Sequence, residues 1–317
     1  MKIAFFEVTE EDKRTLSGSF GEAQVSFFSE KLDENNTEKA KDADVICIFV
    51  TSTLNQSVID ALPNLKLIAT RTTGFNHIDC EYAKTKGIQV ASVPAYGSRT
   101  VAEFAFALIL TLSRKVREAA SAMKENGDFS IPKSAQGFDL DGKTLGVIGT
   151  GKIGKNVIQI ARGFNMNVVA CDSFPDLEFA AKNNILYKTF EEVLSQSDIV
   201  TIHAPYTKEN HHLINKNNIS LFKKGAYLIN TARGELLETG ALAFALEKGI
   251  IAGAGLDVLE EEKGFKKGDS IPLIEMPNVI MTPHTAFNTT EAKQRIVQTT
   301  IENINGFMAG ASVNLVK

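Results

Sequence analysis

Lys143-Thr144-Leu145-Gly146-Val147-Ile148-Gly149-Thr150-Gly151-Lys152-Ile153-Gly154-Lys155-Asn156-Val157 is the stretch on which the fold turns. Residues 145–148 form a short apolar run of the kind that makes a buried parallel strand. The run breaks into Gly149-x-Gly151-x-x-Gly154 and then into a helical stretch with Ile153, Val157, Ile158 and Ala161 on one face. A second apolar run, residues 168–171, closes a β-α-β unit and ends in Asp172. Each part has a mechanical purpose. Gly149 allows a tight turn, Gly151 lets the backbone approach a pyrophosphate, and Gly154 lets helix and strand pack closely. The helix N-terminus offers amide donors and partial positive charge to phosphates. Strand, helix, second strand and terminal acid all fall where a dinucleotide fingerprint needs them. Asp172 suits the adenosine ribose hydroxyls and repels a 2′-phosphate. Ser173 and Phe174 bring no cation to reverse that, so the expected cofactor is NAD rather than NADP.

The chain is 317 residues long, comfortable for two domains, with the composition of an ordinary globular protein. A formal net charge of -4 gives no reason to expect nucleic acid or an anionic membrane as partner. Residues 1–7 read as a strand, too short and too soon acidic for a signal peptide. The most apolar stretch, residues 104–112, is far below membrane-spanning length. Cys47, Cys80 and Cys171 form an odd set without metal spacing, which suits a reduced, cytoplasmic setting better than a disulfide framework.

Strand-like runs at 3–6, 25–28, 45–50, 67–69 and 89–91 alternate with helix-compatible segments such as 56–61 and 80–86. They predict a small α/β domain with a mostly parallel sheet. Residues 92–98 read as a linker, and one long helix is expected over 100–124, with Val101, Phe104, Ala105, Leu108 and Leu112 at helical spacing. Residues 124–141 are polar and loop-like. The fingerprint then opens a longer series, with strands at 199–202, 226–229, 251–256 and 279–281 and helices at 190–196 and 235–248, a doubly wound sheet of six or seven strands. Residues 289–308 form an amphipathic helix, after which 311–314 return to the first domain. The expected architecture is therefore α/β, with two Rossmann-like parallel-sheet domains. The dinucleotide-binding domain, 99–288, is inserted into a discontinuous substrate domain, 1–98 and 289–317.

Three polar groups follow the ends of successive strands in the second series: Arg233, Glu262 and His284. Carboxyl ends of parallel strands face the ligand crevice, so all three can converge there. Their types suit hydride transfer at a carbinol carbon. Arginine holds a carboxylate and polarises a carbonyl, histidine moves the hydroxyl proton near neutral pH, and a carboxylate orients the imidazole. Taken singly, each has a plainer explanation. Arg233 suits a helix N-terminus, Glu262 lies in the acidic run 260–262, and His284 suits a loop. Of the other histidines, His203 ends a strand beside the cofactor crevice, while His77, His211 and His212 suggest no catalytic role. No Cys/His/Asp cluster has metal-ligand spacing, and no G-x-S-x-G element marks a hydrolase.

These motifs, taken in order, resemble the D-specific 2-hydroxyacid dehydrogenase family over nearly the whole chain. The matching stretches are 149–154 with Asp172, His203-Ala204-Pro205, 230–234, 255–258 through Glu262, and Thr282-Pro283-His284. Pro94-Ala95-Tyr96 and His284-Thr285-Ala286-Phe287 look most like the D-lactate dehydrogenase branch. The resemblance implies a catalytic set of Arg233, Glu262 and His284, the acid standing five residues after Asp257. Glu260 and Glu261 are adjacent alternatives, and Lys263 follows where several branches have proline. It also implies substrate contacts from Thr73, Gly74, Tyr96 and Phe287. Lys152 and Ile153 would face the pyrophosphate, with Pro205 and Asn210 on the adenine or phosphate side, Thr231 and Asp257 near the nicotinamide, and His203 also among the cofactor-binding residues. The implied reaction is hydride transfer between a nicotinamide and the second carbon of a 2-oxo acid, most naturally pyruvate and D-lactate, in a homodimer that closes about hinges near 94–100 and 287–290. Reduction of glyoxylate, hydroxypyruvate or longer 2-oxo acids is the rival within enzymes. An NAD-sensing binding protein or corepressor is the rival from another class.

Overall fold

The computed structural model describes residues 1–127, 129–260, 262 and 271–316. The chain divides into two compact units, Met1–Tyr96 with Thr289–Lys317, and Gly97–Asn288.

The first unit holds a five-stranded, wholly parallel sheet. Its strands are β1 (Lys2–Phe5), β2 (Gln24–Phe27), β3 (Val45–Ile48), β4 (Leu67–Thr70) and β5 (Gln89–Ala91), in the order β2-β1-β3-β4-β5. β3 and β4 are buried along their whole length, as expected of strands covered on both faces. One face packs on Ile46, Ile68, Val58 and Ile59, the other on Ile3, Phe5, Leu67 and Phe20. The C-terminal helix Thr290–Met308 contributes Val297 and Ile304 to that second face. Leu315 then bridges Ala91 at the sheet edge, so the chain's end belongs to the first unit.

The second unit holds seven parallel strands: β6 (Thr144–Ile148), β7 (Asn167–Cys171), β8 (Leu186–Tyr187), β9 (Ile199–Ile202), β10 (Ala226–Asn230), β11 (Ile251–Leu256) and β12 (Val279–Met281). Their order is β12-β11-β10-β9-β6-β7-β8. The chain direction across the sheet reverses between β6 and β9, a topological switch point of the doubly wound kind, where ligands bind beyond the carboxyl ends of the strands. β8 is only two residues long, too short to leave a periodic trace in the sequence.

Two expected helices differ. The single helix expected over 100–124 is two, Ser98–Ser113 and Val116–Asn126, with Lys115 between them at φ 52 in the left-handed region. The buried stripe ends at Leu112 and Ser113, and the Ser113 carbonyl accepts the amide of Phe138 at 2.8 Å, which takes it out of the helical ladder. The helix expected over 235–248 begins only at Thr239. Gly234–Leu236 is instead a short 3-10 turn, because Leu236 and Leu237 are buried in the core and Leu237 bridges Ile214 with extended backbone. All three cysteines are free thiols. Among the described residues no helix is long and apolar enough to cross a membrane.

Candidate active site

β6 ends at Ile148 and the chain turns at once through Gly149, at φ +91. A side chain there would be strained, and its Cβ would lie 2.7 Å from the Ala204 amide nitrogen. A Cβ on Gly154 would stand 2.1 Å from the Gly149 carbonyl oxygen, so this glycine lets the first turn of helix Lys152–Gly163 close on the loop. Gly151 is the N-cap of that helix, and the position its Cβ would take is open, with no atom within 4 Å. The first-turn amides therefore meet a bare backbone approach, the arrangement that receives phosphate.

Asp172 follows β7. Its Oδ2 accepts the Thr150 amide at 2.5 Å and the Thr150 hydroxyl at 2.9 Å, and its Oδ1 accepts the Phe174 amide at 2.8 Å. Burial pushes this carboxyl's pKa up, but the Phe174 and Thr150 donors outweigh it and hold the pKa below the usual range. An ionised acid is thus fixed beside the glycine loop. The loop after β9 lies against Gly149 through the main chain of His203 and Ala204. Asn210 uses its side chain within that loop, accepting from the Thr207 amide at 2.7 Å and donating to the Pro205 carbonyl at 2.8 Å.

The loops after β10, β11 and β12 assemble the acid, base and cation. Asn230, fully buried, bends the first of them by donating to the Arg233 carbonyl at 2.9 Å and accepting the Ala232 amide at 3.0 Å. Gly234 lies directly on the Leu259–Glu260 backbone; a Cβ there would be 2.1 Å from the Leu259 oxygen. Arg233 is half-buried and donates through a terminal nitrogen to the Ala232 carbonyl at 2.7 Å. Asp257, only 1% exposed, draws in the third loop. Its carboxylate accepts from the Thr282 hydroxyl at 2.5 Å and from the Thr285 and Ala286 amides at 2.8 Å each, while its carbonyl accepts the His284 amide at 2.8 Å. These bonds hold His284 at φ 51, a left-handed conformation that a non-glycine residue keeps only under such constraint.

His284 Nδ1 then meets Glu262 Oε1 at 2.8 Å. Burial raises the pKa of Glu262, but the hydrogen bond and charge of His284, the Leu259 amide and the charge of Arg233 together lower it below the usual carboxylate range. Of the adjacent acids, Glu260 is bonded instead to His212 and Thr239. Glu261 and Lys263 lie outside the described residues.

Residues 106–286 match the family model of the D-isomer specific 2-hydroxyacid dehydrogenase NAD binding domain. Over 325 residues the chain is 35% identical to the D-lactate dehydrogenase of Escherichia coli, covering 98% of each chain. It is 36% identical to the glyoxylate reductase of Korarchaeum cryptofilum, over 98% of this chain and 94% of that one. Among solved structures, the D-lactate dehydrogenase of Aquifex aeolicus complexed with NAD and lactic acid matches with a TM-score of 0.90 at 36% identity, covering 98% of this chain and 96% of that one. The chain belongs to the D-isomer-specific 2-hydroxyacid dehydrogenases.

This D-2-hydroxyacid dehydrogenase is an NAD-dependent oxidoreductase, and its second unit fits that cofactor. The glycine loop leaves open space at Gly151, and Asp172 is ionised beside it. The Thr231 hydroxyl is buried with no partner of its own, a polar atom awaiting a ligand group. Lys152 and Ile153 are the first two residues of the helix that Gly151 caps. The Asp257 side chain is engaged by the loop 282–286. Its clearest effect is to position His284, a use of this residue that no local pattern announced.

Thr73, Gly74 and Tyr96 belong to the first unit, beyond the ends of β4 and β5. There the Thr73 hydroxyl donates to the Val93 carbonyl at 2.8 Å, the Gly74 carbonyl accepts from the Thr72 hydroxyl at 2.5 Å, and the Tyr96 carbonyl accepts from Arg295 Nε at 2.7 Å. Phe287 belongs to the second unit and is half-buried three residues after His284.

His203 reaches the glycine loop through its main chain. Its imidazole is 8% exposed, with Nε2 paired to the Thr201 hydroxyl at 2.8 Å and Nδ1 buried without a partner. Burial pushes its pKa down from 6.5 to about 3. Below pH 6.5 the unfolded chain takes up a proton that the native ring refuses, so stability falls as pH falls through this window. Between pH 7 and pH 5 this dehydrogenase should lose about 2 kcal/mol through His203 alone. Urea unfolding of His203→Gln at the two pH values should show that loss largely removed; an unchanged loss would assign the acid sensitivity to other groups.

Proposed function

We propose that this dehydrogenase interconverts pyruvate and D-lactate, with Arg233, Glu262 and His284 as its catalytic residues. The observation that carries the reading is the 2.8 Å bond between His284 Nδ1 and Glu262, with Arg233 acting on the same carboxylate from the neighbouring loop. Glu262 holds the ring by Nδ1, so Nε2 is the nitrogen left to exchange a proton with substrate. Arg233 pairs with the substrate carboxylate and polarises the keto oxygen. When bound, NADH supplies the hydride that reduces the second carbon. His284 Nε2 delivers a proton to the developing alkoxide, and in the oxidative direction it accepts one. Glu262, ionised, compensates the charge on the ring while it carries both protons. Thr73, Gly74, Tyr96 and Phe287 are carried as substrate contacts by the family resemblance.

Near-full-length similarity to two enzymes named as D-lactate dehydrogenases supports pyruvate as the oxo acid. A second reading, reduction of glyoxylate, is favoured by the equally long match to a glyoxylate reductase. Initial rates of NADH oxidation with pyruvate, glyoxylate, hydroxypyruvate and 2-oxoisocaproate separate the two, with NADPH run in parallel. The expected result is a kcat/KM for pyruvate at least about tenfold above the others, since a few contacts around one methyl group are worth roughly 1–3 kcal/mol. NADH should be strongly preferred because Asp172 repels a 2′-phosphate. A preference for glyoxylate would move the substrate and leave the catalytic roles in place.

A further inference from the structure

His211 and His212 follow the loop after β9, and Glu260 lies 48 positions beyond His212 in the loop after β11. One ligand atom from each of these three side chains lies within 4.8 Å of the others. We propose that His211, His212 and Glu260 form a binding site for a divalent transition-metal ion of the zinc class, separate from the pair Glu262–His284.

The chemistry of the donors points to that class. Two imidazoles and one carboxylate are a zinc ligand set, with a fourth position for water; calcium and magnesium favour oxygen alone. His211 is exposed while His212 and Glu260 are half-buried, so an ion can enter from solvent. Ligands on a tetrahedral ion about 2.1 Å from each donor stand about 3.4 Å apart. The three donors are therefore gathered at nearly the required spacing before any ion arrives. His212 Nε2 and Glu260 Oε1 are in direct contact, and an ion would take the place of the hydrogen bond between them.

The surroundings orient these donors as the outer shell of a metal site does. Glu260 Oε2 accepts from the Thr239 hydroxyl at 2.8 Å and from its amide at 3.2 Å, which fixes the carboxylate and leaves Oε1 to His212. The His212 backbone, at φ 53, is pinned at both ends: its amide donates to the Glu235 carbonyl at 2.8 Å, and its carbonyl accepts from Asn215 Nδ2 at 2.8 Å. The His211 ring, exposed and stacked on that of His212 with centroids 3.9 Å apart, would turn out of the stack for its lone pair to meet that of His212 at one ion. Sequence spacing does not betray the site, because its carboxylate comes from a different strand end.

The test uses the full chain, stripped with a chelator and titrated with zinc chloride against a chromophoric competitor. The expected result is one equivalent bound, with affinity at least about tenfold weaker in His211→Ala and in Glu260→Gln. His211 is exposed, so its variant should keep the wild-type circular dichroism and melting temperature. Cys80→Ser and Cys171→Ser should bind zinc as the wild type does. No binding to the wild type, undiminished binding in both ligand variants, or binding that disappears with the cysteines would each overturn the proposal.

Discussion

His284→Ala should lower kcat for 2-oxo acid reduction about a thousandfold and leave the NADH dissociation constant within about twofold. Proton transfer by a positioned side chain contributes roughly a hundred- to ten-thousandfold, and here the ring is positioned from three sides. Its amide is held by the Asp257 carbonyl, its backbone sits in the left-handed region, and Nδ1 is bonded to Glu262. Truncation removes the proposed proton donor without disturbing the glycine loop, which lies after β6 and shares none of those bonds. Arg233→Ala should cost as much in kcat/KM but divide it differently. KM should rise together with the fall in kcat, because the guanidinium is assigned both the carboxylate of the bound substrate and the polarised carbonyl of the transition state. Stopped-flow NADH binding and steady-state rates on the same preparations read both numbers. Wild-type turnover in His284→Ala would remove the histidine from the mechanism. A large loss of NADH affinity would mean that the effect reaches the cofactor instead.

Gly151→Ala separates the folding role of the glycine loop from its binding role. In the protein alone nothing lies within 4 Å of the position a Cβ would take, and Gly151 has φ -67 and ψ -164, an extended backbone open to alanine. The variant should fold and melt as the wild type does, within about 1 °C. If the pyrophosphate rests on this backbone, the added methyl occupies its place, and NADH should bind at least about thirtyfold more weakly, about 2 kcal/mol. Gly154→Ala supplies the contrast: its Cβ would collide with the Gly149 carbonyl at 2.1 Å, so stability and binding should fall together. Unaltered NADH affinity in a well-folded Gly151→Ala would place the pyrophosphate elsewhere.

The cofactor loop was readable because its constraints are local. A turn at φ +91, a close helix–strand contact and an acid at the next strand end all lie within residues 149–172, and each excludes most residue types at its position. The strands were readable for a related reason. Burial on both faces demands uninterrupted apolar runs such as β3, β9 and β11, and those stand out against polar surroundings. The failures fell where a non-local contact overrode a local preference. Residues 100–124 are all compatible with one helix, yet the returning Phe138 takes the Ser113 carbonyl and the helix restarts after Lys115. Residues 235–238 suit a helix, yet the core takes Leu236 and Leu237 as extended chain.

What the sequence determined alone was the α/β class, the dinucleotide fingerprint, NAD as the cofactor, and the candidacy of Arg233 and His284, because each depends on residue type and short-range order. What only the tertiary structure decided was which carboxylate meets which histidine. Glu260 and Glu262 are two positions apart and chemically identical; the family resemblance, by its spacing from Asp257, points to Glu262 as the acid, but nothing in the sequence pairs Glu260 with His212. The assignment rests on Asp257 gathering the loop after β12 and on Gly234 letting the loop after β10 lie against Leu259. Those contacts join residues from separate strand ends, and only the completed parallel sheet brings the ends together.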